Sequence, residues 1–448
     1  MELEQYRDDR MPWRRHSGRM PFRMRLPVHR ATTANLQAIY PFVIETGLGS
    51  EGVYIGRETG SQASFVYDPW RLYQQQLLTN TNVLLAGVIG RGKSALAKTL
   101  AYRLSAFGVR TYVPGDPKGE WGLLAGTLGV EPLALGRGLA TRLNPLETGS
   151  RPQGTPESVW LDDVRGRRIS LLQALAETGL GHRLTPVERN AIYLALDRVV
   201  RSDADASRQR TPLLPEVVEA MMRPSQDDAN SLGLRSGAEL AALSRDACLE
   251  LRRLIVGDLA GLFDGATTHQ LDIHAPIQVV DTSRLAGDDT ALALLMSCAS
   301  AWMEASISDA TAGRRLVVYD EAWRVLRVPA LVRRMQSRWK LSRALGESNL
   351  AVVHRISDLG AVGDAGSEAV AIARGLLADC STRIMYAQES DQLESAASAL
   401  GLTDVETSLL PGLPRGRGLW KVGRRSFIVD HVLADHELEI TDTDARMR

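Results

Sequence analysis

The stretch NVLLAGVIGRGKSALAKTLAYRLSAFG (residues 82–108) constrains the fold of this chain more than any other segment. NVLLAG reads as a short buried strand, a glycine-rich turn follows it, and KSALAKTLAYRLSAFG reads as a helix ended by Gly108. Inside it, GVIGRGKS fits the spacing G-x-x-x-x-G-K-[ST], with Gly87, Gly92, Lys93 and Ser94 at the fixed places. Glycines let backbone N–H groups turn toward phosphate oxygens without a Cβ in the way. The helix that starts near Lys93 points the positive end of its dipole at the same oxygens. Gly87, Gly90, Arg91, Gly92, Lys93, Ser94 and Ala95 are therefore the expected cradle for the phosphate chain of ATP. Lys93 would bridge the β- and γ-phosphates, and Ser94 would ligate Mg²⁺.

A second segment supplies what such a cradle needs. In RRLVVYDEAW a run of β-formers delivers Asp320 and Glu321 to the carboxyl end of a strand, where a parallel sheet presents its ligands. Asp320 suits Mg²⁺ coordination through water, and Glu321 suits a general base that aligns water for attack on a γ-phosphate. A single acidic residue would leave nucleotide kinases and small GTPases open. The pair favours hydrolysis that does mechanical work.

At 448 residues the chain has room for two or three domains. Residues 31–80 carry GVYIGRETG and SFVYDPWRLY, which read as short strands and turns. From residue 81 to 150 the texture is α/β. Residues 151–270 read as a mostly helical insertion. In it, LTPVERNAIYLALDRVV has Thr185 as N-cap, Pro186 at the first helical position and Glu188 three residues after the cap. The α/β pattern returns over 271–433, with strands expected at 277–283, 315–321, 350–356 and 382–388, helices at 289–305, 329–346 and 367–377, and a closing hairpin around Gly423. The fold class that follows is α/β: a P-loop NTPase core with a parallel sheet, interrupted by a mostly helical subdomain, with tails at 1–30 and 434–448.

Composition narrows the possible partners. The formal net charge is zero, so no global field draws nucleic acid or anionic lipid to the molecule. Residues 1–30 do hold eight arginines against four carboxylates, without a steady period. They read either as a solvated tail or as one that docks on a partner or membrane surface. Only five of the 53 basic residues are lysine, at 93, 98, 118, 340 and 421, which draws attention to each of them. The three cysteines are far apart and odd in number, so no disulfide framework or zinc site is expected and a reducing cytosol fits. The N-terminus shows no signal-peptide pattern. The most apolar run, LALLMSCASAWM (292–303), is too short to span a bilayer, so no transmembrane segment is expected.

The ordered set GVIGRGKSALAK, GDPKGEW (115–121), LNPL (143–146), VVDTSRL (279–285), VVYDEAW (317–323) and GRGLWKVGRRSF resembles the conjugative type IV secretion ATPases. These are motors of the HerA–FtsK class, and the match is closest to a version common in actinobacteria. The resemblance runs from about residue 30 to 433. It implies a RecA-like motor core with a helical insertion, and homo-hexamers working at the cytoplasmic face of the cell membrane beside secretion or conjugation channel components, with DNA as a further partner. It also implies an arginine on the helix after the Asp-Glu pair that reaches a neighbouring subunit's site. Arg343 occupies that place, with Arg383 as the alternative. The family puts a glutamine at the end of the next strand, four residues before an Asp. Here that place holds His354, ahead of Asp358, which leaves γ-phosphate sensing and the hydrolysis rate open. DPKG, where Asp116 and Lys118 follow a strand, is also an ordinary tight turn, and we place it outside the site at this stage.

Two other functions compete with the secretion motor. A DNA-translocating coupling ATPase of the same class usually carries transmembrane helices ahead of the P-loop, and some place an arginine just before the P-loop strand; TNTNVLLAG has none. An ATP-binding assembly subunit that hardly hydrolyses would fit His354, but not the intact Lys93, Asp320 and Glu321.

Overall fold

The computed structural model describes residues 47–201, 211–257, 259–269, 272, 274–285, 289–306, 313–326, 328–354, 375–377 and 379–441. The Arg-rich segment 1–30, the start of the 31–80 segment, Asp358, most of the helix expected at 367–377 and the end of the 434–448 tail lie outside the described residues.

Eleven strands form a single sheet in the order β2-β1-β11-β10-β9-β3-β8-β7-β4-β6-β5. They are β1 Val53–Glu58, β2 Ser64–Tyr67, β3 Val83–Ala86, β4 Arg110–Asp116, β5 Leu133–Ala134, β6 Ile277–Asp281, β7 Arg315–Tyr319, β8 Glu347–Val353, β9 Thr382–Met385, β10 Arg417–Val422 and β11 Arg425–His431. From β9 to β5 every neighbour is parallel. The other four strands are antiparallel: β10 and β11 form the hairpin expected around Gly423, and β1 and β2 pair onto β11. The sheet is thus mixed rather than wholly parallel. Its N-terminal strands extend the same sheet instead of standing apart from it, which covers an edge that β11 would otherwise expose.

Both faces of the parallel part are covered, which is why β3 reads as an unbroken apolar run, VLLA, and why β8 is buried along its whole length. Along β3, Leu84 and Ala86 face one core and Val83 and Leu85 the other, as a period of two dictates. The first core lies under the helices Glu157–Leu180, Pro186–Arg201, Leu214–Met222, Arg245–Val256, Asp289–Ser306 and Pro329–Leu345. The second packs the Lys93–Ser105 helix, Trp121 and the aromatic group Phe65, Tyr67, Trp420 and Phe427.

One local reading changes. SFVYDPWRLY is a strand followed by a helix, Pro69–Gln74, because Asp68 accepts the Arg71 N–H as an N-cap and Pro69 follows it at the first position. The 24-residue helix Glu157–Leu180 has no strong amphipathic stripe in its sequence, since its buried residues sit mostly in its second half and include Arg168. Among the described residues no helix is long and apolar enough to cross a membrane.

Candidate active site

The sheet register brings the candidate residues to one edge. Ala86 of β3 lies beside Val353 of β8, and Tyr319 of β7 lies beside Ala351 of β8. The chain therefore leaves these strands at the same end, with Gly87 after β3, His354 after β8 and Asp320 after β7. Because β8 runs between the other two, His354 emerges between the glycine loop and the carboxylate pair. On the far side of β7, β4 ends at Asp116 and delivers Pro117 and Lys118 to the same edge.

The glycines of the loop are required where they stand. A Cβ on Gly87 would lie 2.6 Å from the Cβ of Tyr386, and Gly90 and Gly92 hold φ of 77° and 100°, the left-handed region. Gly92 opens the 13-residue Lys93–Ser105 helix without a side-chain cap, so the helix N-terminus keeps its free N–H groups for a ligand. The Arg91 carbonyl accepts the Gly416 N–H, which ties the loop to the turn before β10. Lys93 is buried, and its Nζ donates to the carbonyls of Gly87 (2.5 Å) and Val88 (2.9 Å), its own loop. Burial pulls its pKa down to about 8, against the opposing pull of Asp320 and Glu321. Ser94 and Ala95 are half-buried in the first turn of the helix.

The carboxylate pair is more heavily bonded than its sequence reveals. Asp320 Oδ2 accepts the indole N–H of the fully buried Trp121 at 3.0 Å, and its Oδ1 accepts the Glu321 backbone N–H. Glu321 has φ 56°, a left-handed conformation that costs a non-glycine residue of order 1 kcal/mol. Its Oε1 takes both the Lys118 ammonium and His354 Nε2, the latter at 2.9 Å, and its Oε2 takes the Trp323 indole N–H. Burial alone would raise the Glu321 pKa. The bonds from His354 and Lys118 outweigh it and hold the carboxyl at about 2.

The DPKGEW turn belongs to this edge, which corrects its placement outside the site. It is a tight turn, as its composition indicates: the Asp116 carboxylate accepts the backbone N–H groups of Glu120 (3.1 Å) and Trp121 (2.8 Å). That turn delivers Lys118 to Glu321 and Trp121 to Asp320. Glu120 also pairs with the buried Lys98 of the phosphate-loop helix at 3.8 Å. Two signals pointed here: three of the five lysines (93, 98 and 118) lie at this edge, and β4 neighbours the strand that carries Asp320 and Glu321.

Arg343 is not brought to this edge. It sits in the last turn of the Pro329–Leu345 helix, immediately ahead of the start of β8, at the opposite end of the sheet. It is exposed, with no side-chain partner among the described residues. On the same helix Arg333, Arg334 and Arg338 are tied to Glu177, Glu304 and Glu347. Arg383 donates to the Leu400 carbonyl at 2.7 Å within its own chain.

A glycine loop at the end of β3, with an acidic pair one strand removed on β7, defines a RecA-like P-loop fold within the α/β class. Among solved structures, the chain is similar to VirB4 of Thermoanaerobacter pseudethanolicus, with 21% identity and a TM-score of 0.68 over 88% of this chain and 100% of that one. It is also similar to the bacterial conjugative coupling protein TrwB. One TrwB structure, in complex with the ATP analogue ADPNP, gives 15% identity and a TM-score of 0.57 over 93% of this chain and 96% of that one. Another, with ADP and Mg²⁺, gives 14% and 0.53 over 87% and 97%. At these identities the likeness establishes the fold. No protein-family model matches the sequence, and no curated protein sequence matches it.

Proposed function

We propose that the chain is an ATP-hydrolysing motor subunit that powers transfer of DNA or protein through a type IV secretion or conjugation apparatus. The observation that carries this reading is the convergence of a buried loop lysine, Lys93, with Asp320, Glu321 and His354 at one sheet edge. The loop supplies uncapped N–H groups, a cation and glycines that leave room, which is the chemistry a triphosphate requires. Ser94 and Asp320 offer two hard oxygen ligands. So small a protein set suits Mg²⁺, which keeps most of its waters and shares the phosphate oxygens. The ion would neutralise charge on the β- and γ-oxygens.

In the reaction, water attacks the γ-phosphorus and the bond to the β–γ bridging oxygen breaks, releasing ADP and inorganic phosphate. Glu321 orients that water and accepts its proton, Lys93 steadies the phosphate oxygens, and His354 holds Glu321 in place. Arg343, at the far end of the sheet from its own loop, can serve only a neighbouring copy, which fits a ring, a homo-hexamer in this reading. A post at the cytoplasmic face of the membrane, among channel components, is part of the same reading. A weakly hydrolysing assembly subunit keeps one observation in its favour, the three donors already on Glu321.

The test is ATP turnover of the full chain, alone and with single- or double-stranded DNA. Glu321→Gln should lower turnover by about 10²–10³-fold while leaving nucleotide binding intact. Equal turnover in both proteins sinks the assignment of Glu321. Strong stimulation by DNA selects the DNA-translocating coupling ATPase, and tight binding without turnover selects the assembly subunit.

A further inference from the structure

Lys118 is placed to do more than close a charge pair. The Glu321 carboxylate has about four acceptor positions, and three are filled by Lys118, His354 and Trp323. A base so covered has little left to offer a water molecule. Lys93 is likewise turned away from any ligand, onto the carbonyls of Gly87 and Val88. Without nucleotide, then, the charged groups of the edge satisfy one another.

The three donors on Glu321 differ in how they are held. His354 follows the last residue of β8, a strand buried along its whole length, and Trp323 begins a helical turn two residues beyond Glu321. Lys118 sits on the Asp116–Trp121 turn. The root of that turn is fixed by the Asp116 carboxylate and by the Trp121 indole on Asp320, while the Lys118 side chain is 49% exposed and that of Glu321 only 4%. A fixed root with a free, charged, four-carbon arm is the arrangement of a cation that can change partners.

We propose that Lys118 is an exchangeable counter-ion: it caps Glu321 when the site lacks nucleotide and moves to the γ-phosphate when a triphosphate enters, leaving Glu321 on His354 and Trp323 and open to water. The proposal rests on the ATPase reading. It explains how the base stays silent until a triphosphate is bound, since ADP carries no γ-phosphate to draw Lys118 away. It also gives the Lys118–Glu321 pair a definite effect on binding, because a triphosphate must break the pair before Lys118 can reach it.

Titration calorimetry of the full chain with Mg²⁺ and either ADP or the non-hydrolysable analogue ADPNP tests this, using Lys118→Met in the wild-type and Glu321→Gln backgrounds. With Glu321→Gln the arm faces at most a neutral amide oxygen instead of a carboxylate, so Lys118→Met should weaken ADPNP about tenfold, the worth of one charge-assisted hydrogen bond. ADP should change less than twofold. In the wild-type background the ADPNP loss should be smaller, because the broken pair offsets part of the gain. Lys118→Arg, which keeps the charge, should retain most of the ADPNP affinity. Equal losses for ADP and ADPNP, no loss for either, or a larger ADPNP loss in wild type than in Glu321→Gln would each overturn the exchange and leave a static ion pair. Failure of the Glu321→Gln protein to bind either nucleotide would overturn the ATPase reading and the exchange with it.

Discussion

The two ends of the parallel strands both bury charge, and they bury it differently. At the end away from the phosphate loop, Glu347 of β8 takes Arg338 at 2.7 Å with Arg315 of β7 at 3.9 Å, and Glu304 takes Arg334 at 2.7 Å. The cations in these pairs are all arginine, and Arg315 is wholly buried. At the phosphate-loop end three of the chain's five lysines, Lys93, Lys98 and Lys118, gather around the carboxylates, beside Arg91 of the loop and Arg324. A guanidinium is a planar fork that suits a fixed, many-bonded contact; an ammonium is a compact charge on a rotating stem. In the proposed reading, one end stays put and the other lets its charges be taken up by a ligand.

The contrast breaks if the two ends respond alike to loss of a charge, and this is where the largest stability effect is expected. Glu347→Gln removes the buried carboxylate that Arg338 and Arg315 share, which should cost about 3 kcal/mol or more. Lys118→Met removes a half-exposed partner from a carboxylate that keeps two other donors, and should cost about 1 kcal/mol or less. Urea unfolding of the two variants decides it: similar midpoints would erase the distinction between a fixed end and an exchanging one.

A smaller effect sharpens the contrast through pH. Two strands end at the phosphate-loop side in titratable residues with opposite behaviour. Burial and the neighbouring Arg103 push His431 of β11 down to about 4, only partly offset by Glu437. Burial lifts Asp116 of β4 to about 6, with Asp320 and Asp281 adding to the rise and the backbone bonds of Trp121 and Glu120 opposing it. Between pH 4 and 6 the unfolded chain holds a proton on His431 that the folded chain lacks, so this group makes stability rise with pH. Over the same window the folded chain holds a proton on Asp116 that the unfolded chain has lost, so that group makes stability fall. The two slopes, each up to about 1.4 kcal/mol per pH unit, cancel. His431→Gln should therefore tilt the stability curve downward across pH 4 to 6 and Asp116→Asn should tilt it upward. Parallel curves from the two variants would remove both groups from the account.

What the sequence revealed of this edge follows the range of the interactions. NVLLAG, GKS and VVYDE are local signals, each written in one strand and the turn after it, and their common edge follows from parallel strands. The His354–Glu321 bond joins residues 33 apart and Lys118–Glu321 joins residues 203 apart, so neither has a local trace. DPKGEW read as a tight turn, and it is one; the turn did not say what it holds out. The pairing of β1 with β11 spans more than 370 residues, and the register of a strand with a distant partner is not visible in its own alternation. The Glu157–Leu180 helix falls inside the block read as mostly helical, but its bounds went unmarked because it buries an arginine where a stripe of apolar residues would have set them.

The smallest effect belongs to a place where the local signal sufficed, and it isolates the other two. Thr185 and Glu188 form the reciprocal cap expected at the start of Pro186–Arg201: the Glu188 N–H donates to Thr185 Oγ1 at 3.3 Å, and the Thr185 N–H donates to Glu188 Oε2 at 2.7 Å. The Thr185 hydroxyl also donates to Glu188 Oε2 at 2.8 Å, so one side chain serves both halves of the cap. Thr185→Ala should cost about 1 kcal/mol in urea unfolding. The helix packs in the first core and supplies no group to either end of the sheet, so ADPNP affinity and the pH tilt should stay at their wild-type values. A change in nucleotide affinity with Thr185→Ala would mean that the helical layer and the phosphate-loop edge move together, and that the Lys118 exchange is gated from outside the site.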